Sequence, residues 1–393
     1  MTTVRSTSPT KIDWLQGLSL PSGWSESKVK YVAPGMQAGE AITAESIEPV
    51  GTYPVYGGNG LRGYTQAKTH HGTRILIGRQ GALCGNVHLV SGEFWASEHA
   101  IVARASDEVD PRWLAYLLRV MNLGQYSQTA AQPGIGTAQI NALPVPVPPH
   151  SEQRAIADYL DRETARIDTL IEEQQRLVEL VRERREAEAD ALLGSPIETR
   201  HTTVKRVLRP LSRPAAPGLG VVTAFRDGVV TLRSNRREDG YTFSNTEHGY
   251  QEIRPGDLVF HALDGFAGAV GISDSHGNAT PVYHVCEASA GDHLPYVARL
   301  LRYLGRSGFL ATQAPNVRER SVDFRNWSMF GRLPLALPPV EEQRRIAEHL
   351  DEQTAKIDTL IAETERFIEL SKERRAALIT AAVTGQIDVR EMA

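Results

Sequence analysis

The chain has 393 residues, 41% of them hydrophobic and 23% charged, and a formal net charge of −4. That length exceeds one ordinary core and suits two or three domains of soluble composition, while the absence of a long apolar run excludes a membrane-spanning helix. The polar first ten residues lack the apolar core of a signal peptide, so a cytoplasmic protein is expected.

Residues 1–11 read as a flexible lead. From 12 to 147 the chain is rich in Gly, Pro and β-branched residues, and Arg74-Ile75-Leu76-Ile77 and Ala100-Ile101-Val102-Ala103, bounded by turn signals, read as strands. Pro111 followed by apolar residues at helical spacing through Arg119 predicts a helix on that sheet. The first globule is therefore mixed α and β. Cys84 lies in it and Cys286 in the second; neither has another Cys or a His at metal-ligand spacing, so both are expected to be reduced, buried thiols.

Leu143-Pro144-Val145-Pro146-Val147-Pro148-Pro149 enforces an extended approach, because proline removes donors and biases the preceding residue away from helix. A long helix follows within 148–195. Ile156, Leu160, Ile167, Leu170, Leu177 and Val181 fall on a coiled-coil spacing, with Ile171 and Val178 broadening the stripe. Glu152 opens the helix and Arg182, Arg184 and Arg185 stand near its end, which complements the helix dipole. Gly194-Ser195-Pro196 stops it.

A second mixed globule fills 196–337, with strands expected around 221–225, 229–232, 257–260 and 282–285 and a helix over 295–304. Residues 338–393 then hold a second long helix and a tail, with Ile346, Leu350, Ile357, Leu360 and Phe367 on its seam and Ile361 and Ile368 beside it. This helix repeats the first. Residues 148–187 align without a gap to 338–377 at an offset of 190, with about three positions in five identical. The expected fold is α+β, two mixed globules separated by two long helices that pair as an antiparallel coiled coil in a pseudo-twofold tandem repeat. Such a helix of roughly forty residues spans on the order of 60 Å and would act as a ruler between two unlike readers.

The helix entries LPVPVPPHSEQRAIADYLD and LPLALPPVEEQRRIAEHLD, the repeated ARIDTLI and AKIDTLI cores, the ending ALITAAVTGQIDV and the loop PVYGGNGLRGY closely resemble the specificity subunit of type I restriction-modification enzymes. The resemblance covers essentially the whole chain. It implies a non-catalytic, DNA-binding subunit for phage defence, whose two target-recognition domains each read half of a bipartite asymmetric site on double-stranded DNA. Two methyltransferase subunits would dock on the helices, and restriction subunits would join the full complex. S-adenosylmethionine, ATP and Mg would serve those partners, leaving no cofactor in this chain. Through the resemblance, Asp168 and Asp358 are contacts for a methyltransferase; Arg154, Arg166, Arg344 and Lys356 face partners or water.

No phosphate-binding Gly-Lys-Ser/Thr loop, amino-methyltransferase motif, His-Glu-x-x-His or nucleophile elbow is present, and His99, His261 and His284 have no placed partner for catalysis. The candidate DNA contacts of the first globule are Asn59, Arg62, Tyr64, Arg79, Gln80 and Asn86, on Gly-rich loops where backbone can approach phosphate and Arg, Asn and Gln can pair with base edges. Those of the second are Arg226, Arg233, Asn235, Arg236, Arg237 and Tyr241, with Arg318, Arg320 and Arg325 as a further basic stretch. The alternatives are a coiled-coil adaptor presenting two protein-binding domains and a self-sufficient nuclease or recombinase.

Overall fold

The computed structural model describes residues 7–15, 17–127, 133–194, 198–236, 249–289, 291–313, 317–318 and 321–391. The chain forms two compact units, Met1–Gln175 with Glu365–Ala393, and Arg176–Thr364. Each unit therefore takes one globule with half of each long helix, a division that cuts across the boundaries drawn from the sequence.

In the first unit the strands are β1 (Tyr53–Gly57), β2 (Gly60–Thr65), β3 (Arg74–Gly78), β4 (Val87–Val90), β5 (Glu93–Ala96) and β6 (Ala100–Ala103). One sheet is ordered β2-β1-β5 with His70–His71 at its edge, and the other Gln37–Ala38, β6, β3, β4. Side chains alternate along a strand. Ile75 and Ile77 of β3 accordingly pack with Trp113, Leu114 and Leu117 of α1 (Pro111–Val120), while Leu76 faces Phe94 and Ala96 of β5. Cover on both faces is why this strand is an unbroken apolar run. Asp110 caps α1, accepting from the amides of Arg112 at 2.8 Å and Trp113 at 3.3 Å. Pro144–Val147 pairs antiparallel with Ser25–Lys28 and leads into α2 (His150–Gly194).

The expectation of a flexible lead is corrected in part. Thr7–Pro9 pairs antiparallel with Ser19–Pro21, and Ile12, Leu15 and Leu20 close a small apolar cluster between the two strands. Those three apolar residues supply the burial that the polar first ten residues lack.

The second unit repeats the layering with different loops. Its main sheet runs β7 (Leu208–Pro210), β10 (Tyr283–Ala288), β8 (Leu258–His261), β9 (Val270–Ile272). Leu258 and Phe260 pack with Tyr296, Val297 and Leu301 of α3 (Leu294–Arg306), whereas Val259 faces Val222, Val230 and Ile253 of two small antiparallel ladders. Pro334–Leu337 pairs with Arg200–Thr203 and leads into α4 (Val340–Val383), as its counterpart does in the first unit. Cys84 and Cys286 are free and buried, and burial pushes both thiols up. Among the described residues no helix is long and apolar enough to cross a membrane.

In each unit α2 and α4 run in opposite directions. Ile167 and Ile171 meet Ile368, while Ile156 and Leu160 share a core with Ile379 and Val383 in the first unit. Asp168 receives Arg375 at 2.8 Å there, and in the second unit Arg185 reaches Asp358 at 2.7 Å. The offset of 190 converts one ion pair into the other. Both aspartates singled out through the family resemblance thus pair with the opposite helix within their own unit.

The seam itself differs from the one predicted. Ile156, Leu160, Ile167, Ile346 and Leu350 are buried and Ile357 is half-buried, but Leu170, Leu177, Leu360 and Phe367 are exposed. Ile171, Val178, Ile361 and Ile368, one residue further on, are buried in their place. Both sets recur every seven residues, so periodicity alone cannot choose between them, and the helix rotation set by the globule cores does. Thr164 and Thr364 enter the seam with their hydroxyls donating to the carbonyls of Leu160 and Leu360 at 2.7 Å.

Two stability predictions follow from these cores. Ile171→Ala should cost about 2–5 kcal/mol, whereas Leu170→Ala should stay within about 0.5 kcal/mol, a contrast read from the melting temperatures of the two variants. His284 stacks on Phe330 with ring centroids 5.0 Å apart, its Nε2 donates to the Phe324 carbonyl at 2.6 Å, and burial pushes its pKa down from 6.5. A histidine lowered on folding contributes stability above its unfolded value that is lost as pH falls. Melting temperature should therefore drop below about pH 6.5. His284→Phe should flatten part of that drop, His261 and His293 being lowered by burial as well.

Candidate nucleic-acid interface

The β1–β2 turn, Gly57-Gly58-Asn59-Gly60, rests on the end of β3. A Cβ on Gly58 would lie 3.2 Å from the Gly78 Cα, and one on Gly78 only 2.6 Å from the Gly58 carbonyl oxygen, so these glycines allow the two backbones to touch. From Gly78 the chain turns through Arg79–Asn86, held by the Gly78 amide donating to the Asn86 carbonyl and the Gly85 amide to the Gly78 carbonyl, each at 2.8 Å. The Arg79 amide donates to the His99 carbonyl at 2.9 Å, and the amides of Gly81 and Ile135 tie the segment before α2 to the same loop at 3.0 Å.

Five of the six predicted contacts come together here. Asn86 Nδ2 donates to Asn59 Oδ1 at 3.3 Å, Arg62 lays its stem beside Gly57, and Gln80 bridges to Gly134. Asn59, Arg62, Arg79 and Gln80 are exposed, and among the described residues the Arg62 and Arg79 guanidiniums have no ion pair. Tyr64 stands apart, half-buried opposite Pro54 at the far end of β2. The fold also brings His88, Ser97 and His99 to the turn, which the sequence reading did not place there. The His88 ring lies 3.4 Å from where a Gly60 Cβ would be, its Nε2 is buried without a partner among the described residues, and burial pushes its pKa down. No local spacing announces these residues, because His88 arrives on β4 and Ser97 and His99 on the connection between β5 and β6.

In the second unit the corresponding candidates are engaged. Arg226 pairs with Asp264 at 2.9 Å, Arg236 with Asp227 at 2.5 Å while covering the Phe225 ring, and Arg325 with Asp323 at 2.7 Å. Asn235 donates to the Thr231 hydroxyl at 2.8 Å, and Arg233 opens the single 3-10 turn Arg233–Asn235. The loop 261–268 joins the group, since Asp264 takes Arg226 and the Phe324 amide, next to Arg325, donates to the Ala262 carbonyl at 2.9 Å. Arg318 belongs to the strand Val317–Arg318; Arg237, Tyr241 and Arg320 lie outside the described residues.

An exposed Arg/Asn/Gln cluster on a Gly-rich turn can clamp phosphate and reach base edges at once. The family model of the type I restriction modification DNA specificity domain matches residues 21–180, the stretch that holds this cluster. Residues 21–180 are thus similar to that DNA specificity domain. Over 131 residues the chain is 44% identical to the EcoprrI type I restriction enzyme specificity subunit of Escherichia coli, a match covering 32% of this chain and 33% of that one. The chain thus spans about a third of the length of the curated relative it matches.

Two solved structures share the fold. A chain from a study of complex assembly and conformational transition of the type I R-M system aligns with TM-score 0.64 and 15% identity, over 94% of this chain and 100% of that one. The HsdS subunit from Thermoanaerobacter tengcongensis aligns with TM-score 0.52 and 16% identity, over 95% and 99%. The shared fold extends over nearly the whole chain.

Each exposed cation that neutralises a phosphate steepens the salt dependence of affinity. Arg79→Ala should lower the slope of log affinity against log salt by about 0.9, and Arg226→Ala by less, because Asp264 already compensates that guanidinium. Fluorescence anisotropy of the full chain on duplex DNA at several salt concentrations measures both.

Proposed function

We propose that the chain is the DNA-sequence specificity subunit of a type I restriction-modification complex and carries no catalytic chemistry of its own. The observation that supports this most is the cluster of Asn59, Arg62, Arg79, Gln80 and Asn86, its two guanidiniums without an ion pair among the described residues, inside the stretch matched by a DNA specificity domain. The second globule, built in the same layers but with different loops and its arginines paired to aspartates, would read the other, unlike half of a bipartite target. With the helices as a repeat, the two readers would address opposite strands across a gap set by helix length.

The displaced seam residues suggest the partner surface. Leu170, Phe367 and Leu370 are exposed in the first unit, and Leu360, Leu177 and Leu180 in the second. They are the same three positions of the repeat, offset by 190. Apolar side chains left in water on a charged helix mark an interaction face. Two copies of one face fit two copies of one partner, the methyltransferase subunits, with restriction subunits joining the full complex. S-adenosylmethionine, ATP and Mg would be held by those partners.

The test is co-expression with the methyltransferase subunit encoded beside this chain, followed by single-molecule sequencing of the host DNA for methylated adenine. An asymmetric bipartite motif with a fixed gap is expected. The double variant Leu170→Asp, Leu360→Asp should lose co-purification of the methyltransferase. A stable complex that yields no motif would overturn the sequence-reading role, and no complex at all would favour the adaptor.

A further inference from the structure

The long helices begin with the same buried amide. Gln153 is 2% exposed and Gln343 is fully buried. Gln153 Oε1 accepts the backbone amide of Asp110, the residue capping α1, at 2.9 Å, and its Nε2 donates to the Pro148 carbonyl at 2.9 Å. Gln343 Oε1 accepts the amide of His293, the residue before α3, at 2.8 Å; its Nε2 donates to the Pro338 carbonyl at 2.9 Å and to Asp292 Oδ1 at 2.8 Å. In both units one side chain ties together the strand that enters the long helix, the first turn of that helix and the start of the globule's own helix.

Only glutamine has the means to do this. The task needs an acceptor and a donor on one flat group at that reach; glutamate has no donor and asparagine is one methylene shorter. A second attachment lies two turns further along. Asp161 accepts from the Tyr116 hydroxyl at 2.8 Å and pairs with Arg112 at 2.9 Å, and its repeat counterpart Asp351 pairs with Arg299. Two attachments on one helix face remove the rotation that a strand and a Pro-Pro turn would leave free. The globules differ in sequence, yet both are fastened alike.

We propose that Gln153 and Gln343 are positioning residues that set the angle at which each reader leaves its helix, and with it the gap accepted between two DNA half-sites. This rests on the specificity-subunit reading. Successive base pairs lie about 3.4 Å apart along the duplex, so a small tilt of a reader at the end of its helix shifts it by one step. The glutamines touch no DNA in this scheme; they decide which spacing is read, while the loops decide which bases.

The experiment uses the full chain in complex with its methyltransferase and a DNA library in which the two half-sites stand at the native gap, one base pair closer and one further apart. Adenine methylation is read at each spacing for wild type, Gln153→Glu, Gln343→Glu and Gln153→Met. Leu160→Ala serves as a control that loosens the same core without touching the amide. The glutamine variants should lose about tenfold or more of their discrimination against the neighbouring gaps, with half-site sequences unchanged, whereas Leu160→Ala keeps the native gap at a lowered melting temperature. If Gln153→Glu does not fold, Gln153→Met, which fills nearly the same volume without the amide, decides. Glutamine variants that assemble and keep the native discrimination would overturn the proposal and leave the latch a matter of stability alone. A wild-type complex with no bipartite motif would instead overturn the specificity reading beneath it.

Discussion

Each unit depends on the packing of an entering long helix against the end of the returning one. Ile156 and Leu160 meet Ile379 and Val383 beneath α1, and Ile346 and Leu350 meet Leu193 beneath α3. Neither globule completes its core without these helix ends, so the helices are walls of the domains as well as connectors between them. The exposed ion pairs Asp168–Arg375 and Arg185–Asp358 add little energy in water, but their exchange under the repeat shows that the same helix register is used twice.

On that frame the two globules share their layers and differ in their presentation of charge. Ile75, Leu76 and Ile77 alternate between a helix and a second sheet as Leu258, Val259 and Phe260 do. Among the described residues the first globule leaves Arg62 and Arg79 without an ion pair, whereas Arg226, Arg236 and Arg325 each hold an aspartate. An anion approaching the first would meet free guanidiniums, whereas at the second it would also have to displace a carboxylate. The two globules therefore have different electrostatic starting points.

Much of the candidate site was legible because glycine and turn chemistry are local. The run from Gly57 to Gly60 announces a turn, and Arg79, Gln80 and Asn86 follow a strand that is apolar throughout. Tyr64 was grouped with them by proximity in sequence, but β-strand register carries it away from the turn. His88, Ser97 and His99 escape a local reading for the converse reason, since sheet pairing alone brings them to the glycines of that turn.

The repeat, the two globules, the long helices and their opposed pairing were determined by the sequence itself, through an offset of 190 residues, proline boundaries and heptad spacing. The face each helix buries was decided by tertiary structure. Leu170 and Ile171 have identical periodicity, and only the rotation imposed where the helix is fastened to the globule puts Ile171 inside and Leu170 in water. The amide of Gln153 is likewise unremarkable in the sequence, because its partners, Asp110 and Pro148, become neighbours only when α1 folds back onto the start of α2.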